Sequence, residues 1–154
     1  MTLNSEFLFS MKAPLLPPLD GGASSAGHLL PILVAEGGTF EGPKLSGRIV
    51  AGGDWFRMRN DGSGVLDVRL AIQTADGAFI HLTYGGRLVV PPDLIPQVMD
   101  FANAQKVDPA KYYFRSLITF ETGHPDYVWL NDVVAVGVGK VGHGGVSYDV
   151  HLIK

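Results

Sequence analysis

The sequence predicts an all-β fold of antiparallel strands with one short helix, a barrel or sandwich capped at one end. Three observations carry this. Segments rich in β-branched and aromatic residues recur along all 154 residues, broken by 20 glycines and 10 prolines. Two Asp-Gly pairs, Asp61-Gly62 and Asp76-Gly77, sit between alternating segments, where glycine accepts the positive φ of a tight turn. Only one segment shows helical spacing.

Ser5–Lys12, Leu29–Ala35 and Leu45–Val50 are the first strand candidates, each bounded by Gly, Pro or a polar residue. Asp54–Arg59 is turned by Asp61-Gly62 into Ser63–Thr74, and Ala75-Asp76-Gly77 turns that segment into Ala78–Gly85. The result is a three-stranded meander, because turns this short cannot join parallel strands. Pro91-Pro92-Asp93 then fits the first turn of a helix over Asp93–Gln105. Leu94, Ile95, Val98, Met99 and Ala102 would share one face of it, and Asp108-Pro109 would stop it. Tyr112–Glu121, Tyr127–Val138 and Val146–Ile153 complete the strands.

The length suits one domain with a real core, residues 1–154, and is too short for two. A net charge of -3 argues against a nucleic-acid partner, which would require a surplus of Lys and Arg. With no cysteine there is no disulfide, thiolate metal site or thiol nucleophile. No apolar run approaches the ~20 residues that a bilayer needs, so no membrane partner is expected. Met1–Lys12 lacks the basic start and small-residue cleavage site of a secretory signal, which makes a cytoplasmic address the expectation.

Two motifs invite chemistry and are set aside. Gly137-Val138-Gly139-Lys140-Val141-Gly142 matches a dinucleotide fingerprint, but the fingerprint works only where a helix follows to bind the pyrophosphate. Here 12 residues remain and they alternate like a strand, so a glycine-rich bend is expected instead. His28, His81, His124, His143 and His151 form no His-x-His or Glu-x-x-His pair, so neither a metal nor any other cofactor is expected.

Alternation sorts the remaining candidates by face. Tyr113, Arg115 and Glu121 share one face of their strand, Asp67 and Arg69 one face of theirs, and His81 lies with Phe79. Tyr127, Trp129 and Asn131 also alternate. Polar faces of antiparallel sheets ordinarily meet water. Because these carry Trp, Tyr and Arg rather than Lys and Glu, the expectation is that they line a polar lumen holding a small molecule, with apolar outer faces free for oligomer contacts.

Several stretches resemble one family: Gly37-Gly38-Thr39-Phe40-Glu41-Gly42-Pro43, Gly52-Gly53-Asp54-Trp55, Leu66-Asp67-Val68-Arg69 with Thr74-Ala75-Asp76-Gly77, Tyr112-Tyr113-Phe114-Arg115, Phe120-Glu121-Thr122-Gly123, Tyr127-Val128-Trp129-Leu130-Asn131 and Val136-Gly137-Val138-Gly139. Together they look like the domain of unknown function three-two-three-seven, also called uncharacterised protein family three-one-one. Ala51 departs from the family pattern, which has proline before Gly-Gly-Asp-Trp. The resemblance implies a single lipocalin-like antiparallel β-barrel of about 8–10 strands, often a homodimer. It also implies that some relatives are cofactor-free decarboxylases of phenolic acids.

That chemistry needs a cation for the substrate carboxylate, a phenol partner and an acid to protonate the alkene carbon. Arg115 suits the carboxylate through its planar fork, and Glu121 or Glu41 could serve as acid if burial raises its pKa. Tyr113, Tyr127 or Tyr84 would meet the phenol, with Trp55 and Trp129 as ring-stacking walls. Asp67, Arg69, His81 and Asn131 complete the proposed lining. A structural ion-pair role for Arg115 and Glu121, a non-catalytic carrier and a barrel plugged by its own side chains are the alternatives.

Overall fold

The computed structural model describes residues 2–154. In chain order the strands are β1 Ser5–Pro14, β2 Gly22–Ser24, β3 Gly27–Leu29, β4 Ile32–Leu33, β5 Thr39–Glu41, β6 Ser46–Asp54, β7 Arg57–Met58, β8 Gly64–Thr74, β9 Phe79–Val89, β10 Tyr113–Glu121, β11 Val134–Gly142 and β12 Gly145–Ile153. Eight of them close a barrel in the order β8-β9-β10-β11-β12-β1-β5-β6, with β6 pairing back onto β8. Every pairing is antiparallel, and closure removes the free edges of the main sheet. The four short strands lie outside this circuit, β7 on β8, β3 on β7, β2 on β3 and β4 on β6.

The expected hairpin is β8–β9, turned by Ala75-Asp76-Gly77, with Gly77 at φ +96°. Thr74 holds that turn by donating its hydroxyl to Asp76 and accepting from the Ala78 amide. Inside the barrel, Leu66, Val68, Leu70 and Ile72 of β8 meet Ile80, Leu82 and Tyr84 of β9, all buried. Phe9 packs between Phe40 and Phe120, with ring centroids 5.4 and 6.5 Å away. The lumen is therefore apolar, and the expectation of a polar lumen is corrected. An eight-stranded barrel has room inside for little more than side chains, and unpaired charges there would lose their hydration. The apolar faces turn inward, and the faces of Arg, Asp, Glu and Tyr form the outer wall.

Three elements differ from expectation. Asp93–Gln105 is not one continuous helix. A 3-10 turn at Pro92–Leu94 runs into one α-helical turn, α1, at Ile95–Val98, and a second 3-10 turn follows at Ala104–Lys106. Asp100 ends α1 by local bonding: its carbonyl accepts from the Asn103 and Ala104 amides, and its carboxylate accepts from Asn103 Nδ2. Tyr127–Val138 is not one strand either. Val128–Asp132 is a 3-10 turn clamped by Asn131, which accepts from the Thr122 amide at 2.9 Å and donates to its carbonyl at 3.0 Å. Leu29–Ala35 breaks at Pro31, which has no N–H to give a ladder.

Candidate acid-bearing chamber

Two β-bulges adjust which side chains face the lumen. The one in β6 decides the site. Ile49 stands opposite Ile72, and Ala51 opposite Ala71, so Val50 is an extra residue with no partner. Inward-facing positions before the bulge are odd-numbered. After it they are even-numbered, and Asp54, opposite Val68, faces inward. Were Val50 paired regularly with Ala71, Asp54 would stand opposite Asp67 and point outward with Arg69.

Asp54 is half-buried, and its Oδ1 accepts from the Asp67 amide at 2.9 Å. Burial is the main cause pushing its carboxyl up to about 7. The Asp67 amide opposes that rise, and the Asp67 charge adds to it. The carboxyl is therefore divided between acid and carboxylate near neutral pH.

Two phenols share the space. Tyr84 and Tyr148 are buried with ring centroids 5.7 Å apart, and Tyr148 packs edge-on against Phe114 at 5.1 Å. Burial raises both phenols well above their ordinary value, and the charge of Asp54 contributes. Both remain protonated hydrogen-bond donors across the working pH range.

Asp54, Tyr84 and Tyr148 line one chamber at the capped end of the barrel. The rest of its wall is apolar, including Leu66 and Val68 from β8, Phe114 from β10, and Met99 and Phe101 from the cap. The space in it that a water-sized sphere can occupy is about 50 Å³, so the chamber is narrow and a bound ring must fit it closely. Among the described residues no Lys, Arg or His lines it. Nor do any three His, Cys, Asp or Glu side chains among them gather as a metal site would require.

Of the residues singled out from sequence, the structure brings only Tyr84 to this chamber. Arg115 lies on the outer wall, its Nη1 donating to the Phe114 carbonyl at 2.8 Å and its guanidinium 5.2 Å from the ring of Tyr113. Tyr113 is 53% exposed. Glu121 faces His81 across the outside of β9–β10, and Glu41 is exposed on β5. Asp67 pairs with Arg69 at 3.6 Å in solvent. Trp55 is 56% exposed, whereas Trp129 is half-buried with Lys44 5.5 Å from its ring. Tyr127 donates to Asp76, and Asn131 holds the 122–131 loop.

Sequence reasoning missed Asp54 and Tyr148. Tyr148 was visible as the aromatic member of the apolar face Val146, Val150, Leu152. The two glycines before Asp54 carried the hint of an irregular strand, but alternation alone assigns Asp54 the wrong side.

These features define a closed antiparallel β-barrel with one acid and two phenols in an internal apolar chamber. Residues 3–153 match the family described as Protein of unknown function (DUF3237), and the chain belongs to that family. A UPF0311 protein of Rhodopseudomonas palustris is 30% identical, the alignment covering 99% of this chain and 97% of that protein. The crystal structure of a conserved protein of unknown function from the same organism superposes with a TM-score of 0.90 at 29% identity, covering 100% of this chain and 99% of that one. A crystal structure described as an enzyme from Penicillium herquei superposes at 0.72 with 25% identity, covering 100% and 96%.

Proposed function

We propose that this protein is a cofactor-independent isomerase or lyase that moves a proton within a small, uncharged, ring-bearing compound held in the chamber, with Asp54 as the catalytic residue. The observation that carries this is Asp54 itself, a carboxyl raised to about 7 inside an apolar wall. A proton-transfer group works best when its pKa lies near the operating pH. As carboxylate, Asp54 takes a proton from a carbon next to a carbonyl or quinone-like oxygen. The electron pair left behind moves onto that oxygen, where the Tyr84 or Tyr148 hydroxyl donates a hydrogen bond to it. Return of a proton from the Asp54 carboxyl, which exchanges with water while it is held there, to another carbon of the conjugated system completes an isomerisation with no net gain or loss. A lyase would follow if a leaving group departed from the intermediate instead.

Decarboxylation of a phenolic acid, the narrower expectation, needs a cation at the substrate carboxylate. Among the described residues the chamber offers none, which favours an uncharged substrate. A carrier would be served by the apolar wall but would have no use for a titrating carboxyl. The likeness to a protein described as an enzyme also supports catalysis. The protein would act in the cytoplasm as a pair of copies meeting through the outer face of β9–β11, where Leu117 is 68% exposed across from Val136, and Val89, Tyr113 and Val134 are exposed along the same strands. No helix among the described residues is long and apolar enough to cross a membrane. Sedimentation equilibrium of wild type and Leu117→Lys tests the pairing, which a monomeric wild type would exclude.

The test of catalysis is proton exchange. A panel of neutral phenols, enones and β-diketones, together with 4-hydroxycinnamic acid, is incubated in D2O with wild type and Asp54→Asn. Deuterium incorporation is followed by NMR, and evolved CO2 is measured. Enzyme-dependent exchange into a neutral compound, lost in Asp54→Asn, supports the reading. Exchange that persists in Asp54→Asn, or none with any compound, refutes it.

A further inference from the structure

The glycine-rich stretch of β11, set aside as a nucleotide motif, borders the chamber. Gly137 and Gly139 face inward, opposite Val150 and Tyr148 of β12. Glycine inside a strand weakens it and needs a reason. The reason here is not the backbone, since neither residue is among those with positive φ. It is space. A Cβ on Gly139 would stand 2.5 Å from Cδ1 of Phe114. A Cβ on Gly137 would collide with the Ser116 hydroxyl and lie 3.1 Å from Cδ1 of Tyr148. Phe114 and Tyr148 are in edge-to-face contact, and both line the chamber. A ring pushed off Gly139 has close-packed strand behind it and unfilled space in front, so it moves into the chamber.

We propose that Gly137 and Gly139 are specificity-determining residues. By presenting no side chain they hold the Phe114–Tyr148 wall back and set the width of ring system that the chamber admits. The inference builds on the chamber as the ligand site of the preceding reading and adds what selects the ligand there. Pockets gauge apolar ligands by methylene-sized differences, worth roughly 10–200-fold each. One added methyl at Gly139, passed on through Phe114, is a change of that size.

Two neutral probes test it: N-phenyl-1-naphthylamine, followed by its fluorescence, and phenol, followed by NMR titration. In Gly139→Ala, affinity for the larger probe should fall about tenfold or more while phenol binding stays within about threefold. Gly139→Ala combined with Phe114→Leu should regain the larger probe, because the displaced ring is what blocks it. A purely structural role would weaken both probes together, and Phe114→Leu would not restore them. Either result, or unchanged binding of the larger probe by Gly139→Ala, overturns the proposal, as does a wild-type protein that binds neither probe. Should Gly139→Ala fail to fold, Gly137→Ala and Phe114→Trp supply the narrowed chamber, with the same selective loss expected. Asp54→Asn should keep the full size selection. Intact selection without proton exchange would refute catalysis alone, and exchange without size selection would refute the glycine role alone.

Discussion

Asp54 faces the barrel interior directly opposite Val68 because Val50, four residues earlier, has no partner in the β6–β8 ladder. One unpaired residue thus turns a carboxyl from solvent into an apolar chamber. Bulges re-aim side chains in this way near functional sites. Deleting Val50 would leave Asp54 opposite Val68, but inserting one glycine between Gly52 and Gly53 should move Asp54 opposite Asp67 and so onto the outer face. The expected result is a folded barrel in which the Asp54 carboxyl, followed by carbon-13 NMR, titrates near the ordinary ~4 rather than near 7. A midpoint still near 7 in a folded insertion variant would show that the β6 register does not aim Asp54.

The raised carboxyl also makes a stability prediction. Folded, Asp54 keeps its proton up to about pH 7. Unfolded, it releases it near pH ~4. Between those values the folded state binds more protons, so this group's contribution is fully present below about pH 4 and is lost as pH rises to about 7. The loss amounts to at most about 4 kcal/mol, less if water enters the chamber. Asp54→Asn keeps an acceptor for the Asp67 amide and cannot ionise. It should melt several degrees above wild type at pH 8 and close to it at pH 4. Identical melting curves at pH 8 would mean that the carboxyl costs the fold nothing.

The tyrosines should separate stability from chemistry. Tyr148→Phe removes one hydroxyl from the chamber and keeps the ring contacts with Tyr84 and Phe114. Its stability should change by about 1 kcal/mol. If the phenols hold a developing oxyanion, the exchange rate should fall about 100-fold, as for loss of one such donor. An unchanged rate would remove Tyr148 from the chemistry and leave Tyr84 as the donor.

The fold was legible where local chemistry and tertiary context agree. The Asp76-Gly77 turn fixes the β8–β9 hairpin, and alternation correctly grouped Leu66, Val68 and Leu70 on one face. Alternation does not state which face is inside. That depends on the radius of an eight-stranded barrel, which favours the fully apolar face. Tyr84 was within reach because it shares a face with Ile80 and Leu82. Asp54 was not, because a bulge is a mismatch between two strands and leaves no period in either. Trp129 and Asn131 alternate as they would in a strand, yet bonds from Asn131 to Thr122 fold them into a turn.

Arg115 offers the sharpest contrast between the two views of the lumen. Inside the barrel it would anchor a carboxylate, and its loss would abolish binding. On the outer wall it donates to the Phe114 carbonyl of its own strand and lies near the Tyr113 ring, with no acidic partner among the described residues. Arg87 stands directly across the β9–β10 ladder, so two like charges face each other. Arg115→Ala therefore removes an exposed cation–π contact worth about 0.5–1 kcal/mol and relieves a repulsion of similar size. The melting temperature should move by no more than a few degrees. Binding of N-phenyl-1-naphthylamine and the rate of proton exchange should match wild type. A folded Arg115→Ala that loses both would place a ligand at the outer wall and displace Asp54 as the centre of the site.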